Sequence, residues 1–146
     1  MKTYIPNFLP LKLMSDAAPA IFNGFSKVYP GILPGKCFFH MMKVFEDRKY
    51  NDPAVKSLFL GDLFSLSKSH NQTHFDASER LFLTKYENHP DDSIQRAVEH
   101  LIKVWLTSCN RGWHSGLLPG SVTSNNGLEV TNRIFKKDFK GMKLVK

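Results

Sequence analysis

Two carboxylates stand where phosphate chemistry would want them. Asp16 closes the apolar run FLPLKLMS, residues 8–15, and Glu129 follows the turn at the start of SNNGLEVTNRIFKKDF, residues 124–139. An acid at the end of a buried strand lies on the edge of a parallel sheet where ligands collect. Glu129 shares a helical face with Arg133, Lys136 and Lys140 by i, i+4, i+7 and i+11 spacing. The opposite side carries Leu128, Thr131, Ile134 and Phe135, continued by Phe139. That helix is expected to pack on one side and to show, on the other, an acid that holds a divalent ion and cations that grip phosphates. Both acids also have a plainer use. Asp16 suits the N-cap of the helix after it, and Glu129 complements the dipole of its own helix. Capping and metal binding are compatible. Two-metal phosphoryl transfer needs several converging carboxylates with the ions roughly 3.5–4 Å apart. Acids as distant in the chain as Asp16 and Glu129 converge only through the fold.

Sulfur and imidazole offer a second chemistry. Cys37 and His40 form a CxxH, and Cys109 and His114 a CxxxxH. Together they could supply four zinc ligands. The pairs are far apart and neither has the tight knuckle of a finger, so a reduced buried cysteine and a hydrogen-bonded histidine are the commoner outcome. His70 and His74 in HNQTH lack a glutamate after the first histidine, which excludes the metalloprotease motif. P-loop, GxGxxG and GxSxG patterns are absent.

These groups must be positioned by an ordinary core. The chain has 146 residues, 42% of them hydrophobic, which suits one domain. No apolar run reaches the roughly 18 residues of a membrane helix. Pro6 and Pro10 interrupt the N-terminus, so no signal peptide is read there. Two cysteines make no disulfide framework, and a reducing, intracellular compartment is the expectation. The formal net charge of +7 favours a polyanionic partner. After Glu129 come Arg133, Lys136, Lys137, Lys140, Lys143 and Lys146, opposed only by Asp138. A basic tail beside a lone acid fits a phosphate backbone. The alternative is a solvated helix face with a frayed end.

The expected elements run in a definite order. Residues 8–15 read as a strand opened by Pro10. AAPAIFNGFSKVYPG follows as an amphipathic helix, with Ala18, Ile21, Phe22, Phe25 and Val28 at helical spacing and Pro30-Gly31 as its stop. KCFFHMMKVF, residues 36–45, reads as a second buried strand that passes into helix. Strand, helix, strand is a βαβ unit with parallel neighbours. NDPAVKSLFLGDLFSLSKS, FDASERLFLTKYENH and DDSIQRAVEHLIKVWLTSC each show helical periodicity. In the last, Ile94, Ala97, Val98, Leu101 and Trp105 share one face, and Pro90-Asp91-Asp92 is a good start. Residues 110–124 read as a loop, and Ser124 or Asn125 caps the helix of Glu129.

With these residues in view, a family resemblance follows. LMSDAAPAIFNGFSKVYPG with CFFHMMKVF is similar to the second-aspartate region of Mutator-like (MULE) transposases. GWHSGLLPGSVTSNNGLEVTNRIFKKDF resembles their third-acid region, with SNNGLE in place of a TNNGLE-like turn. The aromatic-rich helical block between resembles the family's all-helical insertion. The resemblance implies a ribonuclease-H-like DDE core in which three carboxylates hold two Mg²⁺ or Mn²⁺ ions. By matched position Asp16 is the second acid and Glu129 the third. Cys37 and His40 match the CxxH, and with Asn125 and Asn126 they are implied to support the site. Arg133, Lys136, Lys137 and Lys140 are implied DNA contacts, and the nucleus the implied location. No acidic residue precedes Asp16, however, and only about two strands remain. The expected fold class is therefore α/β, mostly helical: the C-terminal part of such a core, its first strands missing. Residues 1–50 form strand-helix-strand, 51–109 the helical insertion, and 110–146 a loop and basic helix. A fragment of this kind is expected to be inactive alone and to self-associate through an exposed sheet edge. The alternatives are a non-catalytic DNA- or protein-binding remnant and a small zinc-binding helical protein.

Overall fold

The computed structural model describes residues 9–16, 19–121 and 123. Two strands, β1 (Lys12–Ser15) and β2 (Leu33–Lys36), are joined by α1 (Pro19–Val28). They pair in parallel, from Lys12 opposite Leu33 to Ser15 opposite Lys36. The architecture is mixed α/β and mostly helical, with the expected βαβ order. Parallel strands need a crossover, and α1 provides it. Gly31, at a φ of 87°, turns the chain from α1 into β2 in a conformation that suits glycine.

The second strand lies upstream of its expected position. CFFHMMKVF is helical, in α2 (Phe38–Glu46), and Met41 and Phe45 are buried one turn apart on it. The strand is LPGK. Gly35 in it is required by close approach: a Cβ there would meet the Lys12 side chain and the Leu13 carbonyl oxygen. The apolar run that looked like a strand carries i, i+4 pairs that suit a helix face better.

α1 is also less covered than its pattern suggests. Ile21, Phe25 and Val28 are exposed. Among the described residues the sheet has two strands about 4.8 Å apart, a platform narrower than a helix roughly 10 Å across that does not bury a full apolar stripe.

The helical block follows. α3 (Pro53–Ser67) starts at Asp52, whose carboxylate accepts from the Ala54 N–H at 2.7 Å. α4 (Gln72–Tyr86) starts at Asn71, whose side chain accepts from the His74 N–H at 2.8 Å. α5 (Asp92–His100) starts at Asp91, which accepts from the Ser93 N–H at 2.7 Å. Each is an ordinary side-chain N-cap. α5 runs on into a π-helical turn, Leu101–Trp105, where the Leu106 N–H reaches the Leu101 carbonyl at 3.0 Å. Ile94, Ala97, Val98, Leu101 and Trp105 are all buried, as their shared face predicts. Phe59 sits at the centre, with ring centroids 5.5 Å from Phe82, 5.2 Å from Tyr86 and 6.0 Å from Phe45. No helix among the described residues is long and apolar enough to cross a membrane.

The segment after α5 is not a surface loop. Gly112 bridges Gly35 in parallel, and its carbonyl accepts from the Lys36 N–H at 2.9 Å. Trp113 and His114 are fully buried. Trp113 donates from Nε1 to the Trp105 carbonyl at 3.0 Å, stacks on Phe38 and meets Phe75 edge to face. This seam locks the sheet to the helices. Gly112 allows it, because a Cβ there would strike the Pro34 carbonyl oxygen. Gly112→Ala is therefore expected to cost more than about 2 kcal/mol by forcing the backbones apart. Gly24, inside α1 with open space around its Cα, should behave oppositely: Gly24→Ala should add roughly 0.5–1 kcal/mol. Urea unfolding of the two variants reads both signs, and a Gly112→Ala protein as stable as the parent contradicts the seam.

Candidate functional site

The carboxyl edge of the parallel pair gathers the described part of the predicted site. Asp16 directly follows β1 and is exposed. Beside it, Lys36 ends β2 and is 1% exposed. Its Nζ donates to the Asp16 carbonyl oxygen at 3.2 Å and to Ser15 Oγ at 3.4 Å. Ser15 Oγ in turn donates to the Asp16 carbonyl oxygen at 2.9 Å. Burial pushes the Lys36 ammonium below its ordinary pKa range, opposed by the Asp16 carboxylate and then by Cys109.

Backbone hydrogen bonds tie two more segments to this edge. The Cys37 N–H donates to the Ser15 carbonyl at 2.9 Å, and the Phe38 N–H to the Thr123 carbonyl at 2.9 Å. Cys37 is the buried N-cap of α2, and no side-chain bond caps that helix. The Thr123 carbonyl takes up one of its first N–H groups instead, which is the kind of partner a helix start needs. His40 lies in the first turn of α2, half-buried, with its ring edge-on to Phe39. The CxxH therefore lies just past the second strand, across the strand-to-helix junction. Asn125, Asn126, Glu129, Arg133, Lys136, Lys137 and Lys140 lie outside the described residues.

Among the described residues, no three His, Cys, Asp or Glu side chains form a group that could hold a metal ion. Cys109 is exposed, whereas Cys37 and His114 are buried. His70 and His74 stack with ring centroids 5.5 Å apart, and His74 Nδ1 accepts from the His70 N–H at 3.3 Å. That geometry is local to the start of α4.

A second polar cluster went unnoticed in the sequence. Arg111 donates to Asp76 at 2.7 Å and to Glu79 from both Nε, at 3.0 Å, and a terminal nitrogen. Its guanidinium lies 5.2 Å from the Phe75 ring centroid, and His114 stacks on the same ring with centroids 3.9 Å apart. A cleft of about 340 Å³ opens here, lined by Pro34, Gln72, Asp76, Ser108 and Arg111. Two carboxylates already hold the guanidinium, so the cleft offers little to an anion. The larger clefts lie in the helical block, between α3 and α4 and between α4 and α5, and neither is lined by Asp16 or Lys36. Sequence reading passed over Lys36 and Arg111, and considered His114 only as a zinc ligand. For Lys36 one signal was present: a lysine opening the apolar run CFF.

No protein-family model, curated protein or solved structure matches the chain.

His114 carries a pH prediction. It is fully buried, and among the described residues neither ring nitrogen has a hydrogen-bond partner. Burial, then Arg111 and Lys12, lower its pKa from 6.5 to about 4, against a smaller opposing effect of Asp76. The folded protein thus holds a neutral imidazole that the unfolded chain would protonate below 6.5. Stability is fully present above pH 6.5 and is lost as pH falls towards 4. At pH 4.5 the loss should be roughly 2–3 kcal/mol relative to pH 7. His114→Phe, which keeps the stacking and removes both orphan nitrogens, should flatten that part of the pH profile. Equal pH dependence in parent and variant, measured by urea unfolding, would count against it.

Proposed function

We propose that this chain is a DNA-binding piece of a phosphodiester-processing core of the ribonuclease-H-like DDE type, akin to Mutator-like transposases. The observation that carries the reading is a convergence at one sheet edge. Asp16 ends β1 there, and the Thr123 carbonyl is bonded at the start of α2 beside it. Glu129 follows Thr123 by six residues, a reach of at most about 20 Å. Asp16 and Thr123 thus both lie by the edge where α/β sheets bind ligands, which supports Glu129 as a second acid within reach of it. The order of elements, βαβ and then a helical block before the returning segment, supports the same reading.

Mg²⁺ or Mn²⁺ takes oxygen ligands, and Asp16 offers an exposed carboxylate that fits as one arm, with Glu129 as the second. Such an ion, when bound, would polarise a phosphodiester and stabilise the leaving oxygen. The chain's own residues do the rest. β1 and β2 hold Asp16 at the rim, and the Cys37 N–H fixes the end of β1 through the Ser15 carbonyl. Arg133, Lys136, Lys137 and Lys140 contact the backbone of the DNA. Two acids are one short of the three used by DDE cores, so the 146-residue chain alone is expected to bind DNA without Mg²⁺-dependent strand transfer.

DNA binding is where this reading meets experiment. Residues after Thr123 hold six cations against Glu129 and Asp138, +4 of the chain's +7. If about four phosphates are contacted, affinity for a random duplex should fall roughly 10²-fold between 50 and 200 mM salt. Arg133→Glu with Lys136→Glu and Lys137→Glu should weaken binding at least tenfold and flatten the salt slope. Fluorescence anisotropy reads both. Salt-independent binding, or an unchanged triple variant, overturns the proposal.

A further inference from the structure

We infer that Lys36 is a built-in counter-cation at the carboxyl edge of the sheet, a positioning residue that holds Asp16 and limits its affinity for divalent ions. The inference rests on the reading of Asp16 as a metal-binding carboxylate. Its own evidence is geometric. A lysine with 1% exposure has given up nearly all its water, and a buried ammonium persists only with hydrogen-bond partners and an opposing charge. Among the described residues its acceptors are Ser15 Oγ and the Asp16 carbonyl, both neutral oxygens at the end of β1. The Asp16 carboxylate is the leading acidic influence on the ammonium.

These are the kinds of oxygen a hard divalent ion also seeks: a carbonyl, a hydroxyl and a carboxylate on consecutive residues. The ammonium therefore stands on part of the coordination sphere that Asp16 would offer. It also places a positive charge beside the incoming ion. At an effective dielectric near 20, like charges within several ångströms oppose binding strongly enough to matter by more than tenfold. The register makes this placement obligatory, since Ser15 and Lys36 are direct partners in the parallel pair. The same contact has a constructive side. It ties the last residue of β1 and the first residue after it to β2, so that the Asp16 carboxylate leaves the sheet from a fixed point.

The test is a Mn²⁺ titration of the full 146-residue chain at constant pH, followed by paramagnetic broadening of backbone amides near Asp16. The wild-type protein should show weak broadening centred on Asp16, and Asp16→Asn should abolish it. Lys36→Met keeps the buried stem and removes the charge, and should bind Mn²⁺ at Asp16 at least tenfold more tightly. Lys36→Arg, which keeps the charge, should stay near wild type. Unchanged or weaker binding in Lys36→Met, with Asp16→Asn still abolishing the effect, overturns the counter-cation alone. Broadening that ignores Asp16→Asn overturns the metal reading of Asp16 and the inference with it. Should Lys36→Met fail to fold, the wild-type ammonium is observed directly in ¹⁵N-lysine-labelled protein. Saturating Mg²⁺ should then speed its proton exchange at least tenfold by taking its oxygens, and an unaffected signal overturns the inference.

Discussion

The structure depends on one seam, the approach of Gly112 to the β2 backbone. Through it the Lys36 N–H gains its acceptor, and the next residue, Trp113, is carried into the core. Two parallel strands alone have too little surface to be stable. Trp113 solves that by touching Phe38 of α2, Phe75 of α4 and the Trp105 carbonyl of the π-helical turn. One side chain thus joins the sheet unit to the helical block. Arg111 reinforces the join by pairing with Asp76 and Glu79 of α4. Gly116 does so by lying against the backbone of Asn71 so closely that no side chain fits.

The helical block is held differently. Its contacts are between neighbours in sequence: α2 with α3, α3 with α4, α4 with α5. Side-chain caps at Asp52, Asn71 and Asp91 start its helices. Such a block nucleates from local contacts, whereas the βαβ unit needs the distant seam before its strands gain a third neighbour. Exposed apolar side chains occur in both parts, and Leu58, Phe64, Leu81 and Ile102 are among them in the helical block. Leu9, Leu11, Ile21, Phe25 and Val28 all lie in or beside β1 and α1 and are exposed. The helical core is closed around Phe59, Leu63 and Ile94.

The candidate site inherits its electrostatics from the parallel pairing. A lysine at the end of a central strand loses its water, and among the described residues its hydrogen bonds go to the neighbouring strand's end. Two partly opposed demands meet there. The fold needs Lys36 held by the Ser15 and Asp16 oxygens. A metal at Asp16 would want the same atoms. His114, on the far side of the seam, shows the converse: a buried imidazole whose nitrogens have no hydrogen-bond partner among the described residues and whose surroundings favour the neutral form. Both are compromises between packing and polarity at the place where the two halves join.

Much of this was legible in the sequence. The βαβ order, the helical block, the start of α5 at Asp91 and the buried face from Ile94 to Trp105 follow from period and capping, which are local properties of a chain. Asp16 at a strand end was legible for the same reason, because an apolar run stops there. What tertiary structure decided are the features that arise between distant segments. LPGK is a strand because β1 and Gly112 lie on either side of it, a close approach that Gly35 permits, whereas sequence reading places the strand at residues 36–45. Trp113 and His114 are core rather than loop because residues far upstream surround them. Lys36 is buried because register puts it opposite Ser15. Period and propensity describe how a segment relates to itself. Burial, pKa and the bond between the Thr123 carbonyl and the start of α2 depend on which surfaces touch, and that is settled only when the chain closes on itself.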